Sequence, residues 1–137
     1  MEEPKHEECV MKERCAHYCT CPMTLVHRLF SGKWKILILW YLSHQTLRFS
    51  DLKRKIPDIT QKMLTNQLRS LEEDDLVIRK VYPVIPPRVE YSLSESGKKM
   101  LPLLEGMYQF GIGYFNTHPK VFKQKCERIE EELTDEQ

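Results

Sequence analysis

The 137 residues are 41% hydrophobic and 30% charged, with 21 basic side chains against 20 acidic ones, which suits one soluble domain with a buried core. The longest apolar run, ILILWYL at Ile36–Leu42, falls far short of the about 20 residues that cross a bilayer. The acidic start MEEPKHEEC lacks the basic and apolar regions of a signal peptide, so a cytoplasmic chain with reduced thiols is expected.

Residues 1–20 show no periodicity and are expected to form an irregular arm. It carries Cys9, Cys15 and Cys19 just ahead of Cys21. Pro22 suits the first position of a helix, which makes Cys21 its N-cap. That helix is predicted to run to about Phe30, with Met23, Val26 and Phe30 on one face. The SGKW block breaks the chain at Gly32. From Lys33 to about Ser43 the sequence is apolar on nearly every side, the pattern of a central buried helix.

In RFSDLKRKIPDITQKMLTNQLRSLEEDDLV, Phe49, Leu52, Ile56 and Ile59 keep helical spacing. Pro57 should stop that helix near Lys55, because the residue before proline is pushed out of the helical region. Thr60 is a good N-cap for a second helix reaching about Asp74. On it Met63, Leu64, Leu68 and Leu71 share one arc, and Lys62, Thr65, Asn66 and Arg69 lie opposite. Two short amphipathic helices joined by a tight turn make a helix-turn-helix.

The period then changes to two. LVIRKVY and RVEYSLS alternate as strands, with Val77, Arg79 and Val81 on one face and Ile78, Lys80 and Tyr82 on the other. The prolines of PVIPP stiffen the tip between them. The fold class is therefore mainly α with a small β-hairpin wing (α+β), a winged helix-turn-helix.

A final helical region opens at Ser94 or Ser96. Leu101, Leu104, Tyr108 and Ile112 form its apolar stripe, with Met107 and Phe115 beside it. Pro102 should kink or restart it, and Gly106, Gly111 and Gly113 should weaken it. The tail can add a short helix through Phe122, Cys126, Ile129 and Leu133 before fraying into acidic disorder. This divides the chain into an arm (1–20), a winged-helix domain with its dimerisation helices (21–115) and a tail (116–137).

Charge is unevenly spread. Residues 28–90 hold twelve basic and seven acidic side chains, whereas both ends are net acidic. A basic centre suits a polyanionic partner. The polar face of the second helix, Gln61, Lys62, Thr65, Asn66 and Arg69, has the chemistry of major-groove reading. Amides pair with adenine, Arg with guanine, and Thr with a phosphate or a thymine methyl. A solvated helix face is the plainer alternative, and the basic ribbon that follows tips the balance towards duplex DNA. Lys80 and Arg88 flank the wing tip, within reach of phosphates or the minor groove. Arg79 is left between solvent and a pairing with Glu72 or Glu90.

The blocks SGKWKILIL, RFSDLKRKIPDITQKMLTNQLRSLEEDDLV and VYPVIPPRVEYSLSESG, with a CP before them and LLEGM after, resemble the HxlR family of winged-helix regulators, relatives of the MarR group. The resemblance covers about residues 21–113. It implies a homodimeric regulator of transcription, often a repressor, with a palindromic operator and terminal helices at the dimer interface. It also implies electrophile or oxidant sensing at Cys21. Ser31, Asp75 and Phe110 depart from the family pattern, where glycine, glycine and tryptophan are usual. The four carboxylates of EEDD at a helix C-terminus call for compensation from a base such as Arg79.

The cysteines keep three readings open. Cys9, Cys15, Cys19 and Cys21 are candidate zinc ligands, but only the Cys15–Cys19 spacing fits a tetrahedral thiolate site. As an N-cap, Cys21 has a lowered thiol pKa and can act as a redox sensor, with Cys9, Cys15 or Cys19 as its partner. The third reading is that the thiols fill space, which is preferred for Cys126. His27 and His44 have no ligand-like neighbours in sequence, and Trp34 and Trp40 suit a core or interface. A small effector between the helices fits the fold. No cofactor is required, and no phosphate loop, HExxH or nucleophile elbow points to an enzyme. The competing function is a metal-binding or redox interaction module.

Overall fold

The computed structural model describes residues 21–120. The arm with Cys9, Cys15 and Cys19, and the tail with Cys126, lie outside them. The chain divides into two compact units between Lys99 and Met100.

In the first unit, Pro22 occupies the first turn of helix α1 (Pro22–Leu29), where its missing N–H costs nothing. Gly32, at φ 103°, makes the break before helix α2 (Lys35–His44). Ile38, Leu39 and Leu42 of α2 are buried, as is Trp34 just before it, and α2 packs on the sheet. The chain then pairs briefly as β1 (Leu47–Arg48) before helix α3 (Phe49–Lys55). Pro57 follows one residue after α3, as expected, and Thr60 caps helix α4 (Gln61–Glu73) by accepting from the Met63 N–H at 3.1 Å.

Strands β2 (Val77–Tyr82) and β3 (Arg88–Leu93) form the wing. The sheet has three strands in the order β1-β3-β2, all antiparallel. The expected two-stranded ribbon thus gains a third strand, too short to show any alternation in sequence. Val77, Tyr91, Leu93 and Leu47 face the core beside Leu52, Ile56, Ile59, Leu64, Leu68 and Leu71. Each such side chain contributes about 1.5–3 kcal/mol on leaving water.

Two expectations are corrected here. Met63 is 40% exposed and is not part of the buried arc, which consists of Leu64, Leu68 and Leu71. One residue before Leu64 on a helix, it stands about 100° round from the buried face. Arg79 is exposed and pairs with neither Glu72 nor Glu90, since it sits opposite Tyr91 on the other face of the sheet from Glu90.

Helix α4 ends in a Schellman motif. The Leu76 N–H donates to the Leu71 carbonyl and the Asp75 N–H to the Glu72 carbonyl, both at 3.0 Å, with Asp75 at φ 56°. This left-handed position is where glycine is usual, and Asp is among the few residues that tolerate it. The compensation comes from hydroxyls, not from Arg79. Ser94 Oγ donates to the Asp75 carbonyl (2.5 Å) and Ser96 Oγ to the Asp75 carboxylate (3.2 Å).

Ser94, rather than Ser96, caps the short helix α5 (Glu95–Lys98), accepting from the Gly97 N–H. In the second unit, helix α6 (Leu101–Thr117) restarts with Pro102 in its first turn and carries all three glycines in its interior. No described helix is long and apolar enough to cross a membrane.

A Cβ on Gly97 would lie 2.2 Å from the Leu76 carbonyl oxygen, whereas one on Gly111 would meet nothing within 4 Å. Gly97→Ala is therefore expected to destabilise by about 1–3 kcal/mol. Gly111→Ala should be neutral or stabilising by up to about 1 kcal/mol. Thermal melts of the two variants give the contrast in sign.

Candidate nucleic-acid interface

Leu64, Leu68 and Leu71 bury one side of α4 and thereby fix which side is presented outward. Gln61, Lys62, Asn66 and Arg69 are exposed on that outer side, and Thr65 is half-buried. All five sequence-predicted reading residues thus share one stripe, spaced three and four apart. Neither Lys62 nor Arg69 is held in an ion pair among the described residues. Thr65 Oγ1 donates to the Gln61 carbonyl at 2.8 Å, so its hydroxyl proton is already used and its oxygen remains as an acceptor.

The inner side of α4 is held by the start of α2 and the break before it. Lys35 is only 6% exposed, and its Nζ donates to Ser70 Oγ at 2.8 Å. Gly32 lies against the Gln67 side chain, where an added Cβ would come within 3.5 Å of Oε1. These contacts tie Gly32 of the SGKW block and the first residue of α2 to the back of α4.

The wing brings Lys80 and Arg88 onto one face. Lys80 stands opposite Glu90, and Tyr82 opposite Arg88. The Tyr82 ring lies 4.8 Å from Lys80 Nζ and 5.5 Å from the Arg88 guanidinium, within cation–π range. Arg88 also pairs with Glu90 at 2.5 Å. A third cation, Arg48, joins this face from β1, directly opposite Glu90 on its other side. Sequence reasoning missed it, because a two-residue strand carries no periodic signal. The one available hint was an Arg immediately ahead of the first helix of the pair.

Asp51 braces the start of α3. Its carboxylate accepts from the Arg48 N–H at 3.2 Å and pairs with Arg54. The Arg48 backbone hydrogen bond, followed by that of the Arg54 guanidinium, holds the Asp51 carboxyl below the usual carboxylate range.

Cys21 is half-buried at the N-cap of α1, with extended backbone, and its side chain makes no capping hydrogen bond. Cys21 thus stands beside the positive end of a helix. His44 packs edge-on to Trp40 at 4.6 Å, with Nδ1 at 2.7 Å from the Trp40 carbonyl. Among the described residues, no three His, Cys, Asp or Glu side chains gather as a metal site. The cysteine set named for zinc extends beyond those residues.

A helix-turn-helix with an exposed polar face on its second helix and a basic wing is a winged-helix DNA-binding module. The model of the HxlR-like helix-turn-helix family matches residues 29–119. An HTH-type transcriptional regulator of Methanothermobacter thermautotrophicus is 47% identical over 94 residues, 69% of this chain and 72% of that one. The solved structure of the redox regulator HypR in its oxidized form superposes with a TM-score of 0.66 at 41% identity, over 68% of this chain and 96% of that chain. The reduced form of the transcriptional regulator YodB from B. subtilis gives 0.60 at 33% identity, over 66% and 89%. The chain belongs to the HxlR-like helix-turn-helix family.

Because Asp51's folded pKa lies below its unfolded one, its contribution is fully present above the ordinary carboxylate range and is lost as pH falls through the folded value. Urea denaturation should show wild type more stable than Asp51→Asn at neutral pH. The gap should close on acidification from about pH 5 to about pH 2.

Proposed function

We propose that this helix-turn-helix transcriptional regulator is a homodimeric repressor that binds a palindromic operator. In this reading, Gln61, Lys62, Thr65, Asn66 and Arg69 read base edges in the major groove, and Lys80 and Arg88 grip flanking phosphates. The observation that carries it is the outer side of α4, where two cations without ion-pair partners among the described residues stand among exposed amides on a helix anchored by three buried leucines. The assigned activity is binding, not turnover.

The dimer is supported by α6, which exposes Leu103, Met107, Tyr108, Phe110, Tyr114 and Phe115, with Phe110 at 72%. Apolar area on this scale marks an interaction surface. A two-fold pairing of reading helices matches a palindromic site with half-sites about one helical turn apart.

Thiol control at Cys21, with Cys9, Cys15 or Cys19 as partner, is supported by the likeness to HypR, a redox regulator solved in its oxidized and reduced forms. The position of Cys21 at the N-cap of α1 is the local physical basis.

Fluorescence anisotropy on the DNA upstream of the chain's own coding sequence, with random duplex as control, tests the reading. Specific binding should fall steeply with salt. Asn66→Ala or Arg69→Ala should cost about 1–3 kcal/mol and relax base preference. Equal affinity for both duplexes at moderate salt would count against a sequence-reading role. Mild oxidation should change specific binding, and indifference removes the thiol clause alone. Phe110→Glu should shift the protein towards monomer in sedimentation and weaken operator binding with it.

A further inference from the structure

Between the start of α3 and the wing tip lies an open cleft of about 560 Å³, lined by Arg48, Phe49 and Ser50 on one side and by Val84–Val89 on the other. Two guanidiniums, Arg48 and Arg88, belong to its lining although forty positions separate them in the chain. We propose that this cleft seats a backbone phosphate of duplex DNA, with Arg48 and Arg88 as its cations and Glu90 as the carboxylate that positions them. The proposal deepens the DNA-binding reading and rests on it.

The sheet register makes the case. Arg48 on β1 and Lys80 on β2 are both directly opposite Glu90 on the central strand, and residues paired in this way project from the same face, about 4.5–5.5 Å apart. Arg88 precedes Glu90 by two residues and so shares that face. Three cations therefore surround one carboxylate, on the side of the sheet away from the core residues Tyr91 and Leu93.

Glu90 is only 14% exposed at its side chain and pairs with Arg88 at 2.5 Å. One carboxylate cannot neutralise three cations, so the face stays positive by two charges. Glu90 is bonded to Arg88, and its place opposite Arg48 and Lys80 sets one negative charge among three positive ones. A guanidinium has five donors in a planar fork, so the edge given to Glu90 leaves others for a phosphate. The Tyr82 ring restrains Lys80 and Arg88 from the neighbouring position.

Phosphate is the favoured occupant because the cleft is bounded by the first helix of the helix-turn-helix and by the wing. A duplex read by α4 passes both. Ser50 adds a hydroxyl, the remaining lining is apolar or proline, and no acidic side chain lines the cleft, while the nearby Asp51 carboxylate is already paired with Arg54.

The test uses the full chain and a random-sequence duplex, on which phosphates dominate binding. Affinity is measured against salt for wild type, Arg48→Gln, Glu90→Gln and Glu90→Asp. Arg48→Gln should bind about tenfold more weakly and reduce the salt slope by about one, with an unchanged thermal melt. Glu90→Gln decides the positioning role by the sign of its effect. Simple removal of a negative charge predicts tighter binding to DNA, whereas loss of alignment predicts weaker binding and a smaller slope. Glu90→Asp, which keeps the charge but shortens the reach, should fall between wild type and Glu90→Gln.

An unchanged slope for Arg48→Gln overturns the phosphate seat, and tighter binding by Glu90→Gln overturns the positioning role. Should Glu90→Gln fail to fold, the Arg48→Gln slope and the Glu90→Asp affinity still decide. Displacement of wild type from DNA by millimolar inorganic phosphate at constant ionic strength, abolished in Arg48→Gln, would make the cleft a site for the free anion instead. Absence of any wild-type binding to duplex DNA refutes the DNA-binding reading itself, a result distinct from either of these.

Discussion

The arrangement depends on how the reading helix stops. Asp75 takes a left-handed conformation, and the Schellman hydrogen bonds turn the chain so that Leu76 and Val77 enter β2 at once. The returning chain closes on the same point. The Ser94 N–H donates to the Leu76 carbonyl and the Ser94 hydroxyl donates to the Asp75 carbonyl. The same hydroxyl accepts from the Gly97 N–H. Helix end, strand start and strand end are thus bonded at one buried knot. The orientation of the wing relative to α4 is set there and not at the wing tip.

The knot also explains why a carboxylate is tolerated at a helix C-terminus that already carries Glu72, Glu73 and Asp74. Three more acids at the negative end of a dipole are unfavourable. At Asp75 this is offset by two serine hydroxyls, which supply donors without bringing a bulky cation into the turn. On the opposite side of the helix, the buried Lys35 donates to Ser70. Helix α4 is therefore clamped at its end by the turn between β3 and α5 and along its back by the start of α2.

Electrostatics follow the same division between support and contact. Asp51 and Glu90 are the two carboxylates held in ion pairs beside the binding surface, and each pairs with an arginine near it, Arg54 and Arg88. They reduce the net positive charge there slightly. Lys62 and Arg69 have no such partner among the described residues. The near-neutral total charge hides this pattern, because the acidic excess is confined to the chain's two ends.

Much of this was legible in the sequence because the signals are local. The caps at Thr60 and Pro22, the stop at Pro57, the leucine stripe of α4 and the two-residue alternation of the wing depend on neighbours within a few positions. So does the polar stripe of Gln61, Lys62, Thr65, Asn66 and Arg69, since the burial of one helix face dictates the other. What the sequence could not show depends on contacts across long separations. Strand β1 exists only because Leu47 and Arg48 meet Tyr91 and Glu90. Gly97 is required only because Leu76 passes close by, and Arg79 is left in solvent because register places Glu90 on the other face. Periodicity fixes which side of an element faces inward, but which residues meet across the sheet is a matter of register and closure, and tertiary packing alone decides that.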